Sequence, residues 1–153
     1  MTTLRITGHY DVPIEKVWEL GVDFTRYPEW NTAWLEVKEI TGPPDVVGTR
    51  IHSVLRLLGR TMEGWAEVIE VDKPRYLKFT GTSLDGGKLT VAYRLTPAGV
   101  GTEFETDVEY ELPAGIFGHI VDKLFVEKAV ERDLRHSMET FKALLEAKIP
   151  VLA

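Results

Sequence analysis

The sequence predicts a single α+β domain over residues 1–153, in which a curved antiparallel sheet of about seven strands wraps around one long C-terminal helix, with two short helices after the first strand. Three patterns carry this expectation. The N-terminal residues alternate apolar and polar with a period of two. The middle of the chain is a series of β-branched and aromatic runs cut by Gly, Pro and Asp clusters. After Pro113 the apolar residues recur at helical spacing almost to Lys148.

Strand one follows from Leu4, Ile6, Gly8 and Tyr10 alternating with Thr3, Arg5, Thr7 and His9. Pro13 fits the first turn of a helix, Glu15 suits its positive end, and Ile14, Val17, Trp18, Leu20 and Phe24 supply an apolar stripe. Gly21 loosens that helix, and a second short piece around Thr25 to Asn31 is bounded near Tyr27-Pro28, because proline restricts the residue before it. Turn clusters at Gly42-Pro43-Pro44-Asp45, Asp72-Lys73-Pro74, Asp85-Gly86-Gly87 and Pro97-Ala98-Gly99 divide the next stretch into six strands, near 34–41, 48–58, 61–71, 76–83, 88–96 and 102–112. Such short turns join neighbours into an antiparallel meander.

The final helix carries a narrow stripe in its second half (Val130, Leu134, Met138, Phe141, Leu145) and a wider apolar arc in its first (Ile116, Phe117, Ile120, Val121, Leu124, Phe125, Val126). The wide arc must bury more than one face. It can do so by deeper packing, by a homodimer contact or by lining a cavity, and Gly115 and Gly118 would permit a hinge there.

Composition narrows the function classes. With 44% hydrophobic and 27% charged residues the chain has an ordinary globular balance. A net charge of −6 and a pI near 5.3 oppose binding to nucleic acid or an anionic membrane. Without cysteine there is no disulfide framework, thiolate metal site or cysteine nucleophile. No apolar run approaches the roughly 20 residues of a membrane span, and the N-terminal residues lack a signal core, so a cytoplasmic location is expected.

The element order resembles the helix-grip fold of the START and polyketide-cyclase (SRPBCC) superfamily, whose relatives include the birch-pollen allergen type. The resemblance rests on Val12-Pro13-Ile14-Glu15-Lys16-Val17-Trp18, Asp23-Phe24-Thr25-Arg26-Tyr27-Pro28-Glu29-Trp30, Val47-Gly48-Thr49, Val71-Asp72-Lys73-Pro74 and Gly101-Thr102-Glu103 in that order. It implies a cavity between sheet and helix and places Trp30 and Trp34 near its mouth, although both could equally be core aromatics. It does not imply one ligand, since members carry, sense or transform what enters.

Alternation assigns the inward rows: Ile51, Ser53, Leu55 and Leu57; Leu77 and Phe79; Leu89, Val91, Tyr93 and Leu95; Phe104, Thr106, Val108 and Tyr110. In strand 61–71 Met62, Gly64, Ala66 and Val68 are placed inside, and their small side chains leave volume that a ligand would fill. The expected ligand-binding residues are therefore Trp30, Trp34, Ser53, Leu55, Ala66, Phe79, Tyr93, Phe104, Thr106, Tyr110, Phe117, Ile120 and Leu124. The hydroxyls of Ser53, Tyr93, Thr106 and Tyr110 can orient a ligand or can bond the protein itself.

Catalytic and metal patterns are sparse. His9, His52, His119 and His136 fall in different elements, and Asp133 with His136, like His119 with Asp122, reads as a solvated helix face. His136-Ser137 lacks a nucleophile elbow. Gly99-Val100-Gly101 lies between two strands, which makes it a hairpin turn and not a dinucleotide loop. No metal or cofactor is expected. The leading expectation is binding of a small hydrophobic molecule such as a lipid, an isoprenoid or an aromatic polyketide. A cyclase, aromatase or dehydratase would need a proton donor or acceptor inside, such as Glu63, Glu67 or Asp23 turned inward. A protein-interaction module of the chaperone-activator type would instead show a large apolar surface patch.

Overall fold

The computed structural model of the chain describes residues 2–57, 59–112 and 123–147. The chain opens as β1 (Thr2–Tyr10) and enters α1 (Ile14–Gly21), where the carbonyl of Pro13 accepts the first two helical N–H bonds, from Lys16 and Val17. A single 3-10 turn (Phe24–Arg26) leads into α2 (Tyr27–Trp30). Tyr27 is helical, with φ −53° and ψ −40°, although it precedes a proline. Its tertiary anchoring overrides the local preference: the ring is fully buried and the hydroxyl donates to the Gly21 carbonyl at 2.8 Å.

Six further strands follow as β2 (Trp34–Ile40), β3 (Arg50–Leu57), β4 (Arg60–Asp72), β5 (Tyr76–Ser83), β6 (Lys88–Ala98) and β7 (Gly101–Glu111), and α3 (Lys123–Glu146) comes last. The strands agree with the turn-cluster expectation to within a few residues at their ends. Their order is β1-β7-β6-β5-β4-β3-β2, antiparallel throughout, so that β1 returns beside the last strand of a meander. Gly99, at φ 63°, turns the β6–β7 hairpin, which confirms the reading of Gly99-Val100-Gly101 as a turn. Register shifts within β2, and in β4 between Val68 and Glu70, mark bulges of the kind that curve a sheet.

The inward rows fall where alternation placed them, β4 included: Gly64, Ala66 and Val68 are buried while Glu67 is exposed. α3 packs on β1, α1 and α2. One expectation for the helix falls outside the described residues and one changes. Residues 113–122, with Phe117 and Ile120, lie outside the described residues. Leu124 and Phe125 are 55% and 62% exposed, whereas Val126, Ala129, Ser137, Met138 and Phe141 are buried. The described part of α3 thus buries one stripe, and Leu124 stands about 200° around the helix from Val126, away from the sheet.

Aromatic rings fill one end of the interior. Phe24, Tyr27, Trp30, Trp34, Phe79, Tyr93, Phe104, Phe141 and Tyr10 form a connected set with ring centroids 4.8–6.3 Å apart. Because Tyr27 commits its proton to Gly21, Tyr93 donates to the Tyr27 oxygen, at 2.8 Å. Burial raises the pKa of both hydroxyls well above the usual tyrosine value, and raises Tyr10 to about 12, with Glu146 adding to the shift. The unfolded chain would release these protons near pH 10. Their contribution to stability is therefore complete below about pH 10 and lost as pH rises through the folded values. Alkaline titration should show tyrosinate absorbance appearing together with loss of the circular dichroism signal, largely above pH 10. Full tyrosine ionisation near pH 10 in a chain that stays folded would mean that these hydroxyls meet solvent.

Candidate ligand-binding cavity

The other end of the interior is hollow. A cavity of about 170 Å³ lies between the sheet and α3. Its wall includes Trp34 on β2, Ser53 and Leu55 on β3, Met62, Gly64 and Ala66 on β4, Gly81 on β5, Leu89 and Val91 on β6, Val108 and Tyr110 on β7, and Val130, Leu134 and Ser137 on α3. Cross-strand register explains the position. Ser53 pairs with Gly64, and the row Ile51, Ala66, Gly81, Leu89, Tyr110 crosses five strands with two of its members too small to reach the helix.

Of the expected ligand-binding residues, Trp34, Ser53, Leu55, Ala66 and Tyr110 meet in this wall. Others belong elsewhere. Trp30, placed at the mouth from the resemblance, is 2% exposed and packs on Phe141 and Tyr27 at 4.9 and 4.8 Å. Phe79, Tyr93, Phe104 and Thr106 point inward but lie outside the cavity wall, Thr106 donating to the Met138 sulfur at 3.8 Å. Their row is inward as expected, yet large rings fill their own share of the space and leave no void. Leu124 is exposed, outside the wall. Leu134, expected among the narrow packing stripe, is half-buried and faces the cavity. The wall also gains Gly81, Val108 from an inward row, Val130 from the narrow helix stripe and Ser137, none of which was among the expected ligand-binding residues. The signal for Gly81 was present in its alternation with Phe79 on the same inward row.

Gly64 has a second reason to be glycine. A Cβ there would stand 2.3 Å from the Thr82 carbonyl oxygen and 2.8 Å from the Ser83 Cα, so the close approach of β4 and β5 excludes any side chain.

Polar groups of the wall are mostly engaged by the protein. The Ser137 hydroxyl donates to the Asp133 carbonyl at 2.9 Å and accepts from the Thr32 N–H at 3.0 Å. Asn31 Oδ1 accepts the Ala33 N–H at 3.0 Å. Burial raises the Tyr110 pKa, with Glu127 adding to the effect. The charged members, Arg56, Lys88, Glu111 and Asp133, are half-buried to exposed, and the first three occupy outward positions of their strands.

The carboxylates considered for proton transfer lie away from the wall. Glu63 pairs with Lys38 at 2.6 Å and with His52 at 3.6 Å, which together hold its pKa below the ordinary value, Lys38 chiefly. Asp23 accepts from the Thr25 hydroxyl at 2.6 Å, and Glu67 is exposed. His52 stacks on Trp65 at 4.7 Å, on the outer side of the sheet. Among the described residues, no group of three or more His, Asp and Glu side chains could hold a metal ion, and no helix is long and apolar enough to cross a membrane.

A family model described as polyketide cyclase / dehydrase and lipid transport matches residues 1–146. No curated protein matches the sequence. Similar solved structures include TTHA0849 from Thermus thermophilus, with a TM-score of 0.74 at 21% identity over 94% of this chain and 97% of that one. Ara h 8.0201 gives 0.67 at 17% over 94% and 97%. The di-domain ARO/CYC BexL from the BE-7585A biosynthetic pathway gives 0.72 at 15%, over 96% of this chain and 50% of its own. At these identities the likeness establishes the helix-grip fold, a curved seven-stranded sheet around a C-terminal helix.

Proposed function

This chain belongs to the polyketide cyclase / dehydrase and lipid transport family, and we propose that it binds a small hydrophobic molecule, of lipid, isoprenoid or aromatic polyketide type, between the sheet and α3. The observation that carries this reading is the cavity at the small-residue end of the interior, walled by aliphatic and aromatic side chains with few polar groups. Apolar voids are costly in a close-packed interior and are filled readily by apolar guests. A cavity of about 170 Å³ is of the order of the ~150 Å³ void that takes up benzene. That size favours a compact ring system over a long acyl chain.

A cyclase reading has less support. Ring closure needs a proton donor or acceptor at the substrate, and the ionisable groups of the described wall are Tyr110, whose pKa burial raises, and four charged residues outside its buried surface. An interaction-module reading has less support as well: among the described residues the exposed large apolar side chains are Leu35, Val46 with Val47, Leu84, Val100 and Leu124 with Phe125, single residues or pairs from five separate segments.

The test is calorimetric titration with 1-methylnaphthalene, followed in parallel by tryptophan emission because Trp34 is in the wall. One saturable site per chain is expected. Ala66→Leu extends a buried wall side chain into the void; it should weaken the probe at least tenfold while changing stability by no more than about 1–3 kcal/mol, the usual range for enlarging an interior residue. Unchanged binding by that variant would place the probe elsewhere.

A further inference from the structure

We infer that the molecule taken up carries a carbonyl or hydroxyl oxygen that meets Ser53, so that the ligand class is an oxygenated ring compound, a ketone or a phenol, and not a plain hydrocarbon. The inference rests on the cavity proposed above and names what enters it.

Ser53 lies on the inward row of β3 between Ile51 and Leu55, opposite Gly64. It is 3% exposed and lines the cavity. Among the described residues its hydroxyl forms no hydrogen bond, and its oxygen, unlike the sealed indole nitrogens of Trp18 and Trp30, opens on the cavity. The buried Ser137 hydroxyl of the wall, by contrast, is satisfied within the protein by Asp133 and Thr32. Serine is a poor choice for such a place on structural grounds. It packs less volume than the Val or Ile that a central strand favours, and it brings a polar atom into an apolar wall. Glycine across the sheet adds no atom that could pair with it and leaves the space before it open.

A guest oxygen at hydrogen-bonding distance from Ser53 Oγ would satisfy the hydroxyl. A ketone would accept its proton; a phenol could donate to it or accept from it. A hydrocarbon of the same shape would strip the hydroxyl of solvent and offer nothing in return, which is the asymmetry by which a polar group in a pocket rejects the deoxy analogue.

The experiment compares wild type and Ser53→Ala with three probes of similar size, α-tetralone, 1-naphthol and 1-methylnaphthalene, by calorimetry, after thermal melts show that the variant folds. Ser53→Ala should weaken α-tetralone and 1-naphthol about tenfold and leave 1-methylnaphthalene unchanged or slightly tighter. Comparing each probe between the two proteins cancels the differences in probe hydrophobicity. An equal change for all three probes, or none for any, overturns the role of Ser53 while leaving the apolar cavity standing. Failure of all three to bind the wild type removes the cavity reading and this inference with it.

Discussion

Phe141→Ala is expected to cost about 3–5 kcal/mol of unfolding free energy, the range for emptying a packed phenylalanine site. Phe141 is fully buried, and its ring meets Tyr10 at 5.4 Å, Trp30 at 4.9 Å and Phe104 at 5.4 Å. It therefore ties the C-terminal half of α3 to β1, α2 and β7 at once. Rings held from several sides cannot collapse into the vacated space, so the cavity term is retained in full. Leu134 makes the useful comparison: it lies two turns earlier on the same helix, is half-buried, and already faces a void. Leu134→Ala should fall at or below the low end of the roughly 2–5 kcal/mol typical of a packed leucine. It should weaken an apolar probe instead. Urea unfolding reads both, as shifts in midpoint at constant m-value. Equal losses for the two variants would mean that α3 is packed uniformly and that no cavity separates them. For a domain whose total stability is about 5–15 kcal/mol, the first variant stands close to unfolding.

Gly64→Ala is expected to destabilise by about 1–3 kcal/mol or more, a large effect for one methyl group. The added carbon would meet backbone, the Thr82 carbonyl oxygen at 2.3 Å and the Ser83 Cα at 2.8 Å, and neither can rotate away as a side-chain tip would. β4 and β5 would have to separate at their Gly64–Ser83 pair, which borders the cavity. Probe affinity should fall along with the melting temperature. A variant as stable as wild type would show that the two strands yield there at little cost, and that glycine serves only to leave volume open.

These two positions show where sequence reasoning stopped. Gly64 was placed correctly on an inward row and its smallness was linked to open volume, but the nearer cause is the approach of the next strand. That cause depends on a backbone neighbour nineteen positions away, Ser83, which no local pattern announces. Phe141 and Leu134 read as equivalent members of one stripe because helical spacing specifies a face and not what lies opposite it.

By itself the sequence determined the elements, their order and which side of each strand turns inward, since alternation, helical spacing and turn residues act over a few neighbours and the burial of one face enforces them. The tertiary structure decided how the interior is shared. Trp30, Phe79, Tyr93 and Phe104 gather into an aromatic half while Ser53, Gly64, Ala66 and Gly81 face a void, because strand register and the position of α3 bring rows from different strands together. Alternation tells a side chain in from out; only the assembled sheet sets how far along the helix each row lies, and so whether its side chains meet protein or open space.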